Sequence, residues 1–129
     1  MNLRNLCNSL MNMHPGIRFV GVSDNNAKLI EGGMKKNIPS LLPAGKDDLF
    51  YLRALSHLKE LKDFKDSLGD VKYTFIQMDK ISFVTMSLKE EDEEEKEEGN
   101  NNVITLLVSM EPDVNPSFII PSIRNLVIE

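Results

Sequence analysis

The sequence predicts one small α/β domain with five strands and three helices. The first indication is the order of its apolar periodicities: helix, strand, strand, long helix, three strands, helix. The second is that the first and fifth strand-like segments, residues 17–23 and 103–110, are apolar almost throughout, as in strands buried on both faces. We expect these two strands to lie side by side at the centre. The 129 residues suit a single domain, 1–129.

The N-terminal third predicts a helix followed by a hairpin. Residues 3–13 form a helix with one apolar stripe, made of Leu3, Leu6, Leu10 and Met13 with Cys7 between them. The sequence His14-Pro15-Gly16 ends this helix. A first strand follows at 17–23, and a second at 28–34 after the turn Asp24-Asn25-Asn26. In the second strand, Gly32-Gly33 indicates a bulge or a close backbone approach.

A long helix is predicted after a loop at residues 35–46. It begins at the acidic pair Asp47 and Asp48 and runs to about Leu68, before Gly69. One broad face is apolar and is expected to be buried; it comprises Phe50, Tyr51, Ala54, Leu55, Leu58, Leu61, Phe64 and Leu68. Leu49 and Leu52 fall outside that face, so either the loop carrying Leu41 and Leu42 covers them or they belong to a subunit interface.

The C-terminal half predicts three strands and a final helix. The strands are expected at residues 71–78, 81–88 and 103–110, and the helix at 118–128. Pro121 leaves the start of that helix open by one turn.

An acidic segment separates the last two strands and accounts for the net charge of −5. Residues 90–98 hold eight acids and one lysine, so the rest of the chain carries +2. We expect residues 89–102 to be a flexible insert, because a block of like charges repels itself. Its functional interpretation is an electrostatic loop for a basic partner, centred on Glu93, Glu94 and Glu95; the alternative is a simply solvated loop.

Other classes of function find little support in the sequence. No apolar run approaches the ~18 residues of a membrane helix, and a lone cysteine fits a reducing compartment, so a cytoplasmic protein without a membrane partner is expected. The lysines of the long helix are interleaved with acids, which disfavours nucleic acid. His14, His57 and Cys7 lack partners at ligand or catalytic spacing, so we predict no metal, no cofactor and no catalytic residue.

The order of elements resembles that of roadblock/LC7 domains, within the broader profilin-like group. The segments Ile17–Asp24 and Leu29–Met34 are also similar to the first hairpin of an uncharacterised archaeal family of this kind. The resemblance implies an α+β fold with an antiparallel sheet in the order 2-1-5-4-3. It also implies a non-enzymatic domain that dimerises and regulates or scaffolds small Ras-like GTPases.

The expected function is therefore a non-enzymatic regulatory or scaffold domain that binds itself and a protein partner, with a small GTPase as one candidate. In roadblock domains, long helices and second strands pair across a two-fold axis, which implies an interface at Leu49, Leu52, Ile30 and Met34. The alternative is a small-molecule sensor of the profilin-like or PAS-like type, which would need an interior pocket with converging polar groups.

Overall fold

The computed structural model describes residues 2–88 and 104–128. The predicted insert 89–102, with Glu93, Glu94 and Glu95, lies outside these residues. The helices are α1 (Leu3–Met11), α2 (Asp47–Leu61), α3 (Lys65–Leu68) and α4 (Pro116–Ile128), and a 3-10 turn at Lys62–Phe64 joins α2 to α3. The strands are β1 (Ile17–Ser23), β2 (Leu29–Met34), β3 (Thr74–Gln77), β4 (Ser82–Leu88) and β5 (Ile104–Met110).

The five strands form one antiparallel sheet in the order β2-β1-β5-β4-β3, which confirms the predicted fold class and strand order. All seven residues of β5 and five of the seven in β1 are buried, as their apolar sequences predicted. Strands β2 and β3 form the two edges of the sheet. Each edge strand therefore leaves one side of its backbone without a strand partner among the described residues.

Helices α1 and α4 cover one face of the sheet with a continuous apolar cluster. The cluster joins rows of side chains across β1, β5 and β4, such as Val20, Val108 and Val84, to Leu10 of α1 and to α4. Cys7 belongs to it as predicted, and so do Ile119, Ile120 and Ile123 of α4.

Helix α2 covers the opposite face, which is less uniformly apolar. Phe19, Phe83 and Leu107 form its buried cluster, with Phe50 and Tyr51 of α2 packed on top. Towards the far end of the strands the same face carries hydroxyl groups, including the hydrogen-bonded pair Thr74 and Thr85 and the buried Thr105. The face covered by α2 therefore has a smaller core, and the first half of α2 makes most of the contacts with it.

The long helix departs from the predicted pattern at its C-terminal end. A single apolar face was expected to continue through Leu61, Phe64 and Leu68, but these side chains are 37%, 56% and 81% exposed. The chain passes into the 3-10 turn after Leu61. A 3-10 turn advances about 120° per residue instead of 100°, so the later apolar positions no longer follow the face that packs on the sheet.

Two local features hold β1 against its surroundings. At Gly32 (φ +98°) a Cβ atom would lie 2.1 Å from the carbonyl oxygen of Val20, so the predicted close backbone approach is confirmed. Arg18 donates to Glu111 Oε2 at 2.7 Å and to the carbonyl oxygen of Pro39 at 3.1 Å. This pair of bonds ties the loop after β2 to the loop after β5.

Helix α4 begins at Pro116, two residues before the predicted start. The Asn115 side chain accepts a hydrogen bond from the Ser117 backbone N–H, as a helix N-cap does. Pro121 lies inside the helix and does not end it.

Candidate interaction surface and neighbouring cavities

Exposed apolar residues occur on helix α2 and on the edge strand β2. Leu49 and Leu52 of α2 are 38% and 47% exposed, and Leu29 and Ile30 of β2 are 39% and 45% exposed. We call these four residues the α2–β2 surface. Leu52 stands 60° around the helix from Leu55, which lines a small cavity together with Leu29. Helix α2 and the edge strand β2 therefore approach each other at Leu55 and Leu29.

Aromatic packing fixes the position of α2 over the sheet. Tyr51 stacks on Phe19 with ring centroids 5.2 Å apart, and Phe50 meets Phe83 edge-on at 5.0 Å. Burial raises the pKa of Tyr51 to about 12, and the carboxylates of Asp47 and Asp48 add to that shift. With these two rings turned inward, helical geometry turns Leu49 and Leu52 away from the sheet.

The loop after β2 leaves the predicted interface residues of α2 accessible. Leu41 and Leu42 line a cavity of about 50 Å³ beside Phe50, yet they remain exposed themselves. Leu49 and Leu52 also stay more than a third exposed, so this loop does not complete their cover. Met34 differs from the other predicted interface residues, because it is half-buried against the aromatic cluster of its own domain.

The interior beneath α2 has little free volume. The cavity lined by Gly21, Leu55, Thr85 and Thr105 measures about 20 Å³. That volume suits about one water molecule, and the two threonine hydroxyls could bind it.

A larger groove lies on the other face of the sheet, between α4 and the chain entering β3. It measures about 540 Å³ and is lined by Tyr73, Pro116, Ser117, Ile120, Pro121, Arg124 and Asn125. The guanidinium carbon of Arg124 stands 5.9 Å from the centre of the Tyr73 ring, which is a cation–π contact. We call this the Tyr73–Arg124 groove.

The residues considered for chemistry are held in structural roles. Cys7 is buried, and burial followed by the nearby charge of Glu31 raises its thiol pKa to about 11, so the thiol is protonated at neutral pH. His14 accepts a hydrogen bond from the Gly16 backbone N–H at the end of α1, and His57 lies on the exposed side of α2. Within residues 2–88 and 104–128, no group of three histidine, cysteine, aspartate or glutamate side chains could hold a metal ion.

None of the helices in the described part of the chain is both long and apolar enough to cross a membrane.

Sequence reasoning identified one of the two surface features and missed the other. Leu49 and Leu52 were recognisable because they fall outside the main apolar face of a long helix. The Tyr73–Arg124 groove was not, because it joins residues about 50 positions apart in sequence. The one local signal was Pro121 inside the predicted C-terminal helix.

Comparison with known proteins finds similarity in structure only. No protein-family model matches the sequence, and no curated protein matches it. A roadblock/LC7 domain from Streptomyces avermitilis superposes with a TM-score of 0.65 at 11% identity, covering 99% of this chain and 93% of that chain. MglB from Myxococcus xanthus gives 0.68 at 11% identity, with coverage of 98% and 89%. A structure described as MglB with tetrameric arrangement gives 0.70 at 7% identity, with coverage of 95% and 80%.

These similarities extend over 95–99% of this chain. The chain therefore has a roadblock/LC7-like fold.

Proposed function

We propose that this chain is a non-enzymatic regulatory or scaffold domain that forms a homodimer and binds a protein partner. The observation that carries the proposal is the α2–β2 surface, where four large apolar side chains remain exposed beside an open sheet edge. Contiguous exposed apolar residues on a small soluble domain usually mark an interaction site. The tetrameric arrangement named for one similar MglB structure supports self-association of this fold.

The dimer is proposed to join the α2–β2 surfaces of two copies around a two-fold axis, so that each copy contributes the same residues. An aspartate at position 52 would place a charge inside that contact and leave it without a partner. Leu52→Asp should therefore weaken dimerisation about a hundredfold or more. Sedimentation velocity over a concentration series measures the change.

Arg53→Asp is the matched control, because Arg53 is the next residue on the same helix and is exposed. It introduces the same side chain at nearly the same place without removing an apolar contact. If both substitutions weaken the dimer equally, general charge repulsion is responsible and the proposed interface is wrong.

A small Ras-like GTPase is the first candidate for the partner, because the resemblance to roadblock/LC7 domains implies a role in regulating or scaffolding such proteins. Affinity capture from the native host, with wild type as bait and mass spectrometry as readout, tests this. A GTPase enriched over a bead control would support the proposal, and the absence of any enriched protein would contradict the partner-binding half of it.

The acidic segment 90–98 is proposed to guide the encounter with a basic partner. Its charges act over about one Debye length, ~8 Å at physiological salt, which affects association more than dissociation. Changing Glu93, Glu94 and Glu95 to glutamine should lower the association rate and leave the dissociation rate unchanged in surface plasmon resonance. A change in the dissociation rate alone would instead make the segment part of the contact.

The rival proposal of a small-molecule sensor finds less support. The cavities between the sheet and α2 measure about 20 and 50 Å³. Ligand pockets usually have volumes of about 300 Å³ or more. The interior that a profilin-like or PAS-like sensor would use is filled here by Phe50, Tyr51 and Leu55.

A further inference from the structure

We propose that the Tyr73–Arg124 groove binds an extended acidic segment of a partner protein, with a carboxylate held by Arg124. The inference deepens the proposed partner binding and rests on it. It concerns the face of the sheet opposite the α2–β2 surface, so both surfaces can be occupied at the same time.

Arg124 is the charged residue of the groove lining. Its side chain is half-buried, and its recorded contact within residues 2–88 and 104–128 is the ring of Tyr73. No described carboxylate pairs with it. A guanidinium group presents five N–H donors in a planar fork that matches a carboxylate, so a half-buried one that no described carboxylate pairs favours an anionic ligand.

The lining of the groove combines one charged side chain with apolar walls. Arg124 supplies the charge of the lining, and Ser117 and Asn125 add uncharged polar groups. The apolar walls consist of Tyr73, Ile120 and two prolines. A ligand that fits this lining has one carboxylate flanked by apolar groups.

Pro121 leaves one backbone carbonyl group of α4 without its usual donor. Proline has no N–H, so the carbonyl oxygen of Ser117, four residues earlier, loses its usual helical hydrogen bond. Both residues line the groove. The groove thus contains a backbone acceptor as well as the donors of Arg124, and a peptide offers both a backbone N–H and an acidic side chain.

The length of the groove favours a peptide over a small metabolite. The lining runs along α4 from Pro116 to Asn125. Nine helical steps of about 1.5 Å span ~13 Å, the length of about four residues of extended chain.

The test is an NMR titration of the isotopically labelled full chain at physiological salt. The probe is a mixture of capped pentapeptides with glutamate at the centre and apolar residues at random in the flanking positions. We expect chemical-shift changes at Tyr73, Ile120 and the Arg124 side chain. The matched mixture with glutamine at the centre should bind about ten- to a hundredfold more weakly, since it loses a charge-assisted hydrogen bond.

Variants of Arg124 separate recognition from packing. Arg124→Met keeps much of the side-chain volume and should reduce binding to the level of the glutamine mixture. Arg124→Lys keeps the charge without the fork and should bind with intermediate affinity. Equal binding of the two mixtures, or unchanged binding by Arg124→Met, would overturn the proposal.

Three further outcomes would also overturn it. Sodium glutarate that binds as tightly as the peptides would make the groove a small-molecule site. If the peptides bind only after the acids of residues 90–98 are changed to glutamine, the groove binds this chain's own carboxylates and not a partner. A partner captured equally well by wild type and Arg124→Met would remove the groove from partner binding and leave the proposed function standing.

Discussion

Two helices cover one face of the sheet, whereas a single long helix crosses the other. Beneath α1 and α4, the rows of side chains across β1, β5 and β4 are apolar except at the buried Ser82, and many, such as Leu106 and Val108, are fully buried. Beneath α2, the buried cluster is smaller and hydroxyl groups accompany it. The covering helix itself keeps Leu49 and Leu52 exposed. The difference fits the proposed function, in which the first face stabilises the domain and the second takes part in association.

The largest effect should come from the face covered by two helices. Leu106 of β5 is fully buried, so Leu106→Ala leaves a cavity and should lower the free energy of unfolding by about 2–5 kcal/mol. Leu52→Ala should change it by no more than about 0.5 kcal/mol. Urea denaturation at low protein concentration measures both, and equal losses would contradict the division between the faces.

A second, smaller effect concerns the β2 edge, which carries Leu29 and Ile30. At Gly32 the backbone has φ +98° and a Cβ would meet Val20, whereas a Cβ at Gly33 would meet nothing within 4 Å. Gly32→Ala should therefore destabilise the domain by about 1–3 kcal/mol, and Gly33→Ala should cost much less. Thermal unfolding of the two variants checks this. If Gly33→Ala is less stable than Gly32→Ala, the backbone of the β2 edge has a different geometry.

A third effect develops only at high pH, through Cys7 on the face covered by two helices. Its folded-state pKa is raised from 9.0 to about 11, so the folded state keeps a proton that the unfolded state releases. The stabilisation is complete below pH 9 and is lost as pH rises towards 11. Wild type should therefore lose stability more steeply than Cys7→Ala over this interval in chemical denaturation. Parallel curves would mean that the thiol is accessible to water.

Sequence patterns predicted the architecture well, because the central strands are apolar almost throughout and such strands are buried on both faces. The apolar runs of β1 and β5 placed them at the centre of the sheet, and the spacing of Leu6, Cys7 and Leu10 gave the buried side of α1. The resemblance to roadblock domains supplied the order of the outer strands. The exposure of Phe64 and Leu68 was not predictable from a helical wheel, because the 3-10 turn after Leu61 changes the rotation per residue.

The two surfaces differ in how far sequence could reveal them. Leu52 stands out on its own helix, so a local pattern identifies it. Tyr73 and Arg124 are brought together by the packing of α4 beside β3, and neither residue is unusual in its own segment. A cation–π contact between distant residues depends on tertiary packing, which single-sequence patterns do not encode.

The central claim is that the face crossed by α2 is a subunit interface, and the mass of wild type in solution tests it most directly. Light scattering should show about 29 kDa, twice the chain mass of 14.6 kDa, at near-millimolar concentration and a decline towards 14.6 kDa on dilution. A mass that stays at 14.6 kDa from micromolar to near-millimolar concentration would contradict the claim. The exposed residues of α2 and β2 would then have to serve a different partner.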